Sequence, residues 1–127
     1  MRYLAYEPDT AIEHLAHAMR LSPLDPEISR MQAGIATAHF LCGRYVEASL
    51  WAQKALREKP GYLTAIRIAA ASCALGGQRE EAQRALSVLR RLDPALRVSS
   101  LKDRLPFRRS ADLARYENGM RRAGLPE

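Results

Sequence analysis

Two histidines stand three residues apart in this 127-residue chain and have the spacing of a metal-ligand pair. If His14 and His17 lie in a helix, one side of that helix presents both imidazoles. A structural zinc ion needs four ligands, and no third ligand follows at a matching spacing. We therefore interpret both histidines as surface residues and predict no metal site. His39, in an amphipathic stretch, is interpreted as a packed helix residue.

The two cysteines carry no redox or metal motif, because no Cys-x-x-Cys arrangement occurs. Cys42 and Cys73 both fall on apolar faces of predicted helices, which predicts buried, reduced thiols and favours a cytoplasmic location. There is no Gly-x-Ser-x-Gly motif, and Gly76-Gly77 lacks the following Lys-Ser/Thr of a phosphate-binding loop. The sequence thus predicts a non-catalytic chain with no catalytic residue and no cofactor.

The elements that position these residues recur, because the pattern around Gly43 returns 34 residues later around Gly77, a distance that we call the repeat interval. Four residues recur unchanged: Gly43 as Gly77, Glu47 as Glu81, Ala48 as Ala82, and Pro60 as Pro94. Apolar residues at helical spacing precede each glycine, which suits the left-handed position after a helix. Each proline then ends the following helix. The pattern predicts one helix–turn–helix unit in each copy.

This pattern resembles the tetratricopeptide repeat (TPR) family, whose period of about 34 residues equals the step from Gly43 to Gly77. The alanine and proline positions and the turn glycines match the family pattern, whereas Gln32 and Ile66 replace its tryptophan. The resemblance implies an all-α, TPR-type helix–turn–helix solenoid that ends in a C-terminal capping helix pair. The implied units are a partial first repeat (1–25), two repeats (26–60 and 61–94) and the capping helices (95–127).

A narrower resemblance concerns residues 18–26, 104–108 and 122–127. They are similar to the C-terminal TPR region of bacterial signalling proteins, where such repeats follow a class III adenylate or guanylate cyclase-like domain or a winged-helix domain. Residues 1–6 look like the end of a helix whose beginning is missing, which agrees with a fragment. The resemblance implies a protein–protein interaction or assembly module, with any cyclase activity in an absent part.

The TPR resemblance also implies a partner-binding groove, lined by the first helix of each unit. The groove residues would be Arg30, Ala33, Thr37, Phe40 and Leu41 from the second unit, and Thr64, Arg67, Ala71, Ala74 and Leu75 from the third. The two arginines would hold a carboxylate, because guanidinium groups bind carboxylates in bidentate pairs. The expected partner is thus a protein or peptide with an acidic or C-terminal carboxylate. Alternatively, the chain's own C-terminal helix fills this trough.

The net charge of +6 is concentrated in the C-terminal half, where residues 79–127 hold twelve Lys and Arg against seven Asp and Glu. This positive excess suggests an alternative function, which is nucleic-acid contact through the Arg-rich C-terminal half. No aromatic stacking platform or known reading motif accompanies the charge, which favours a solvated surface. No apolar run approaches the length of a membrane span.

Both ends of the predicted solenoid carry apolar residues that need cover. At the N-terminal end, Ile12, Leu15 and Met19 lack a complete helix partner, which predicts homo-oligomer formation. Near the C-terminus, apolar residues from Leu101 to Met120 are expected to pack on the helix of Ala82, Leu86 and Leu89 and so end the stack.

Overall fold

The computed structural model describes residues 7–104, 107 and 109–127, and every regular element within them is helical. The elements are α1 (Pro8–Leu21), α2 (Ile28–Leu41), α3 (Tyr45–Glu58), α4 (Leu63–Leu75), α5 (Arg79–Leu92), a 3₁₀ turn (Val98–Ser100), α6 (Leu101–Arg104) and α7 (Ser110–Ala123). This confirms the all-α prediction. The expected helix end at 1–6, and Leu105 of the C-terminal apolar set, lie outside the described residues. No helix in the described ranges is both long and apolar enough to cross a bilayer.

The turns α2–α3 and α4–α5 have the same geometry. Gly43 and Gly77 adopt positive φ angles of 77° and 82°, where a side chain would be strained. The next residue then donates its backbone N–H to a carbonyl near the end of the preceding helix: Arg44 to His39 at 2.9 Å, and Gln78 to Cys73 at 2.8 Å. These bonds satisfy carbonyls that a helix end leaves unpaired. Each glycine thus reverses the chain in the same way, one repeat interval apart.

Each of the helices α1 to α4 packs against the helix that follows it, and α2 also contacts α4. Small residues allow the close approach, since Ala48, Ala52 and Ala55 of α3 are fully buried. Helix α4 is the centre of the molecule, because residues 65–73 are all buried. Such a helix needs neighbours on every side. Helices α3 and α5 supply two of them, and α7 supplies another.

Helix α7 packs mainly across α4 and less extensively on α5, which corrects the expectation that the C-terminal residues pack chiefly on α5. The physical reason is Gly119, which brings the α7 backbone against Ala71. A Cβ atom at Gly119 would lie only 3.1 Å from the Ala71 carbonyl oxygen. The chain end is also fixed, because the Val98 N–H donates to the Pro126 carbonyl at 2.9 Å.

Candidate functional site

The residues expected to line an open groove do not form one surface. Ala33, Phe40, Arg67 and Ala71 are buried, Thr37, Leu41, Thr64, Ala74 and Leu75 are partly buried, and Arg30 is exposed. Ala33 packs with Ala55 and Ala65, among α2, α3 and α4. The open groove expected from the resemblance is therefore corrected in part: the chain's own C-terminal helix lies across α4 and reaches the end of α2, so it occupies that part of the trough, as in the alternative stated from the sequence.

Four aromatic rings fix α7 in the trough. Tyr116 of α7 is fully buried and meets Phe40 edge-on, with ring centroids 6.1 Å apart. Phe107 lies 5.3 Å from Tyr116, and Tyr45 lies 5.7 Å from Phe40. Burial raises the pKa of Tyr116 well above its usual value, so its phenol is neutral. This cluster joins the end of α2 and the start of α3 to the middle of α7.

Arg115 of α7 binds the C-terminal end of α2. Its guanidinium donates to the Phe40 and Leu41 carbonyls at 3.1 and 2.9 Å, and to the Tyr45 hydroxyl at 3.2 Å. It also pairs with the buried Asp112 carboxylate at 2.8 Å. The last carbonyls of a helix lack partners in their own helix and carry partial negative charge, so a cation stabilises them. Sequence reasoning missed Arg115, because no local pattern distinguishes it from the surface arginines.

The two arginines predicted to bind a carboxylate do not converge on an accessible site. Arg30 lies at the surface and pairs with Glu27 at 3.8 Å. Arg67 is only 7% exposed, and its charge acts on the buried Tyr116 phenol. A partner's carboxylate cannot reach Arg67 while α7 occupies the trough. The trough geometry therefore does not support the predicted carboxylate clamp.

His39 takes part in a polar chain that ties α1 to the α2–α3 turn. Its Nδ1 accepts a hydrogen bond from Arg44 Nε at 2.9 Å, and Arg44 Nη2 donates to Asp9 at 2.6 Å. Burial, and then the Arg44 charge, lower the pKa of His39 below its usual value. His39 therefore acts as a neutral packed residue. His14 and His17 are exposed, and the described residues contain no group of three or more His, Cys, Asp and Glu that could hold a metal ion.

The two thiols differ in environment, and neither forms a disulfide. Cys73 is buried, and burial raises the pKa of its thiol. Cys42 is exposed, so the prediction that it is buried was wrong. The reason is that α2 ends at Leu41, which places Cys42 in the turn rather than on the apolar face.

Apolar cover at the N-terminal end is partial. Ile12 and Leu15 of α1 pack against a small cluster that contains Ala11 and Ala38. Met19 is also partly buried, while Leu21 at the end of α1 is 70% exposed. Self-association through this end stays a prediction.

A concavity on the outer face of α5 is a further candidate for a binding surface. It has a volume of about 500 Å³ and is lined by Gln83, Leu86, Ser87, Arg90, Arg91 and Pro94. It combines a buried apolar floor at Leu86 with two exposed guanidinium groups. Sequence reasoning treated Leu86 as a packing position and Arg90 and Arg91 as part of the Arg-rich half, and it did not combine them into one surface. The sequence signal that could have indicated this surface is Arg90, because the equivalent residue one repeat interval earlier is the apolar Leu56.

The chain was compared with models of known protein families, with curated proteins and with solved structures, and none of the three comparisons gave a match.

Proposed function

We propose that this chain is a tetratricopeptide-type helical-repeat module that binds another protein, and that it serves as the C-terminal regulatory region of a cytoplasmic bacterial signalling protein. The observation that carries the proposal is the repeated hairpin. The turns at Gly43 and Gly77 share one hydrogen-bond geometry, and the interval between them equals the period of this repeat family. Stacked helix pairs of this kind present extended surfaces to partner chains.

A binding role, rather than a catalytic one, is supported by the way the polar side chains are used. His39 is held by Arg44 in a contact between helices, and Arg115 satisfies helix carbonyls. Because α7 fills the trough, we propose that a partner contacts surfaces outside it. The outer face of α5 is the principal candidate among them.

The test is affinity capture with covalent cross-linking from a nuclease-treated lysate of the source bacterium, with the whole chain as bait. The matched control bait carries Leu89→Asp, which places a carboxylate in the core and disrupts the fold. We expect a protein that the native bait recovers and the control does not, with cross-links to surface residues of the stack. The protein must then bind the purified chain directly in calorimetry. Recovery of the same proteins by both baits, or no direct binding, would overturn the proposal.

A further inference from the structure

Helix α1 packs mainly on a single neighbour, α2, and Ala11 is its one fully buried residue. Ile12 and Leu15 pack on a small cluster whose buried members are Ala11 and Ala38 of α2. The central helix α4, by contrast, is buried at every residue from 65 to 73. A helix with few buried contacts opens locally at a lower free energy than the central helices do. The groups that hold α1 in place can therefore control whether it stays docked.

A single polar tie supplements this small apolar contact. Among the described residues, the only side-chain hydrogen bond that joins α1 to another element is the Asp9–Arg44 ion pair, at 2.6 Å. Arg44 lies in the α2–α3 turn, and His39 at the end of α2 holds its guanidinium from the other side. The His39 Nδ1 atom accepts the Arg44 Nε–H at 2.9 Å. His39 thus orients the guanidinium that binds α1.

This arrangement requires a neutral imidazole. The Nδ1 atom accepts a hydrogen bond only while it carries no proton, and a protonated imidazole donates from both of its nitrogens. Because Arg44 is always charged, protonation of His39 would replace the hydrogen bond by a contact between two cations. The guanidinium must then turn away from His39, and the orientation in which it pairs with Asp9 is lost.

The other charged groups that face His39 are the carboxylates of Glu47 on α3 and Asp9 on α1. Both favour the protonated imidazole, but burial and the Arg44 charge outweigh them and hold the pKa of His39 below its ordinary 6.5. When α1 detaches and Arg44 moves into solvent, the imidazole regains its ordinary pKa. The chain with α1 detached therefore binds the proton more tightly, and by linkage a fall in pH favours detachment.

We propose that His39 is a pH-sensitive switch, which releases α1 from α2 when its imidazole takes up a proton. Release uncovers Ala38, which is fully buried while α1 is docked, together with the partly buried Leu41 beside it. An acidic pH thus exposes an apolar strip on α2. The inference goes beyond the proposed function and does not depend on it, because it concerns α1 of the chain by itself and involves no partner.

The test is amide hydrogen exchange of the whole chain, followed by NMR from about pH 7.5 to about pH 5. The rates are expressed as protection factors, which correct for the pH dependence of the intrinsic exchange rate. We expect the protection of the α1 amides to fall below pH 6.5, by up to about tenfold per pH unit, because release takes up one proton. Low concentrations of urea should leave the protection of α1 unchanged but lower that of α4, because a local opening exposes little surface.

Three variants assign this release to the polar chain. His39→Gln keeps an acceptor for Arg44 that does not titrate, so the pH dependence of α1 protection should disappear. The matched control is His14→Gln with His17→Gln, which removes the two exposed imidazoles of α1 itself and should keep the pH dependence. Asp9→Asn weakens the ion pair directly, so it should lower the protection of α1 already at neutral pH.

Each of four results would overturn the inference. Protection of α1 that does not change with pH, or a pH dependence that His39→Gln retains, would exclude the imidazole as the switch. A fall in α1 protection with the same urea sensitivity as that of α4 would show that acid unfolds the whole chain rather than releasing one helix. Unchanged protection of α1 in Asp9→Asn at neutral pH would show that the polar chain does not hold this helix.

Discussion

The contact between Arg115 and the end of α2 yields the sharpest test of how α7 is held. We consider Arg115→Met, which keeps a long apolar side chain near the Phe40 ring but removes every donor. The substitution leaves the carbonyls of Phe40 and Leu41 without this partner. It also leaves the Asp112 carboxylate, which is in a buried residue, without its cation. Both losses destabilise the folded state.

The expected loss in the free energy of unfolding depends on how buried the ion pair is, rather than on the distance between its nitrogen and oxygen atoms. A hydrogen bond to a charged group contributes about 1.5–3 kcal/mol, and the partial exposure of Arg115 limits the total for its bonds to about 2–3 kcal/mol. Arg121 on the same helix is the matched control, because it pairs with Glu127 at the same distance of 2.8 Å but at the surface. Arg121→Met should leave the free energy of unfolding almost unchanged, because solvent screens this surface pair.

The measurement is urea unfolding followed by circular dichroism, which gives the free energy of unfolding of each variant from the midpoint and slope. The double variant Arg115→Met with Asp112→Asn should recover part of the loss, because it removes the unpaired carboxylate. Equal destabilisation by Arg115→Met and Arg121→Met would refute the reasoning, since it would mean that burial of the pair contributes nothing.

Three further predictions concern stability. Gly119→Leu should detach α7 from α4 and lower the free energy of unfolding by more than about 2 kcal/mol, as an overpacked contact does. The control in the same urea assay is Gly61→Ala, which should leave stability nearly unchanged, since a Cβ there meets nothing within 4 Å. Gly77→Ala should lower the free energy of unfolding by about 1 kcal/mol in thermal or urea unfolding, because an alanine there is strained by the positive φ but meets no neighbouring atom. An unchanged stability would contradict the shared turn geometry. Because the pKa of His39 is lowered from its ordinary 6.5 in the folded chain, its contribution to stability is complete above pH 6.5 and is lost as the pH falls through the lower folded-state value. In urea titrations run from neutral to acidic pH, His39→Gln should lose less stability than the native chain. The same pH dependence in both proteins would exclude His39 as its source.

The sequence predicted the helical hairpins well because their signals are local. Gly43 and Gly77 adopt the left-handed conformation that their spacing predicted, and the helices before and after them follow the apolar periodicity. The error at Cys42 is also local, since helix ends are difficult to place within one or two residues. Gly119 was an unused signal, because a glycine inside a helix costs about 1 kcal/mol and often marks a close backbone contact.

What the sequence alone determined about this protein is which residues form helices and which helix faces are apolar. Only the tertiary structure decided which neighbouring helix each of these faces packs on. The apolar face of α7 fits the end of α5 and the trough over α4 equally well by periodicity. Close approach of Gly119 to Ala71, together with the carbonyls at the end of α2 that Arg115 reaches from the far end of the chain, selects the trough. These contacts join residues distant in the chain, so their geometry exists only after folding.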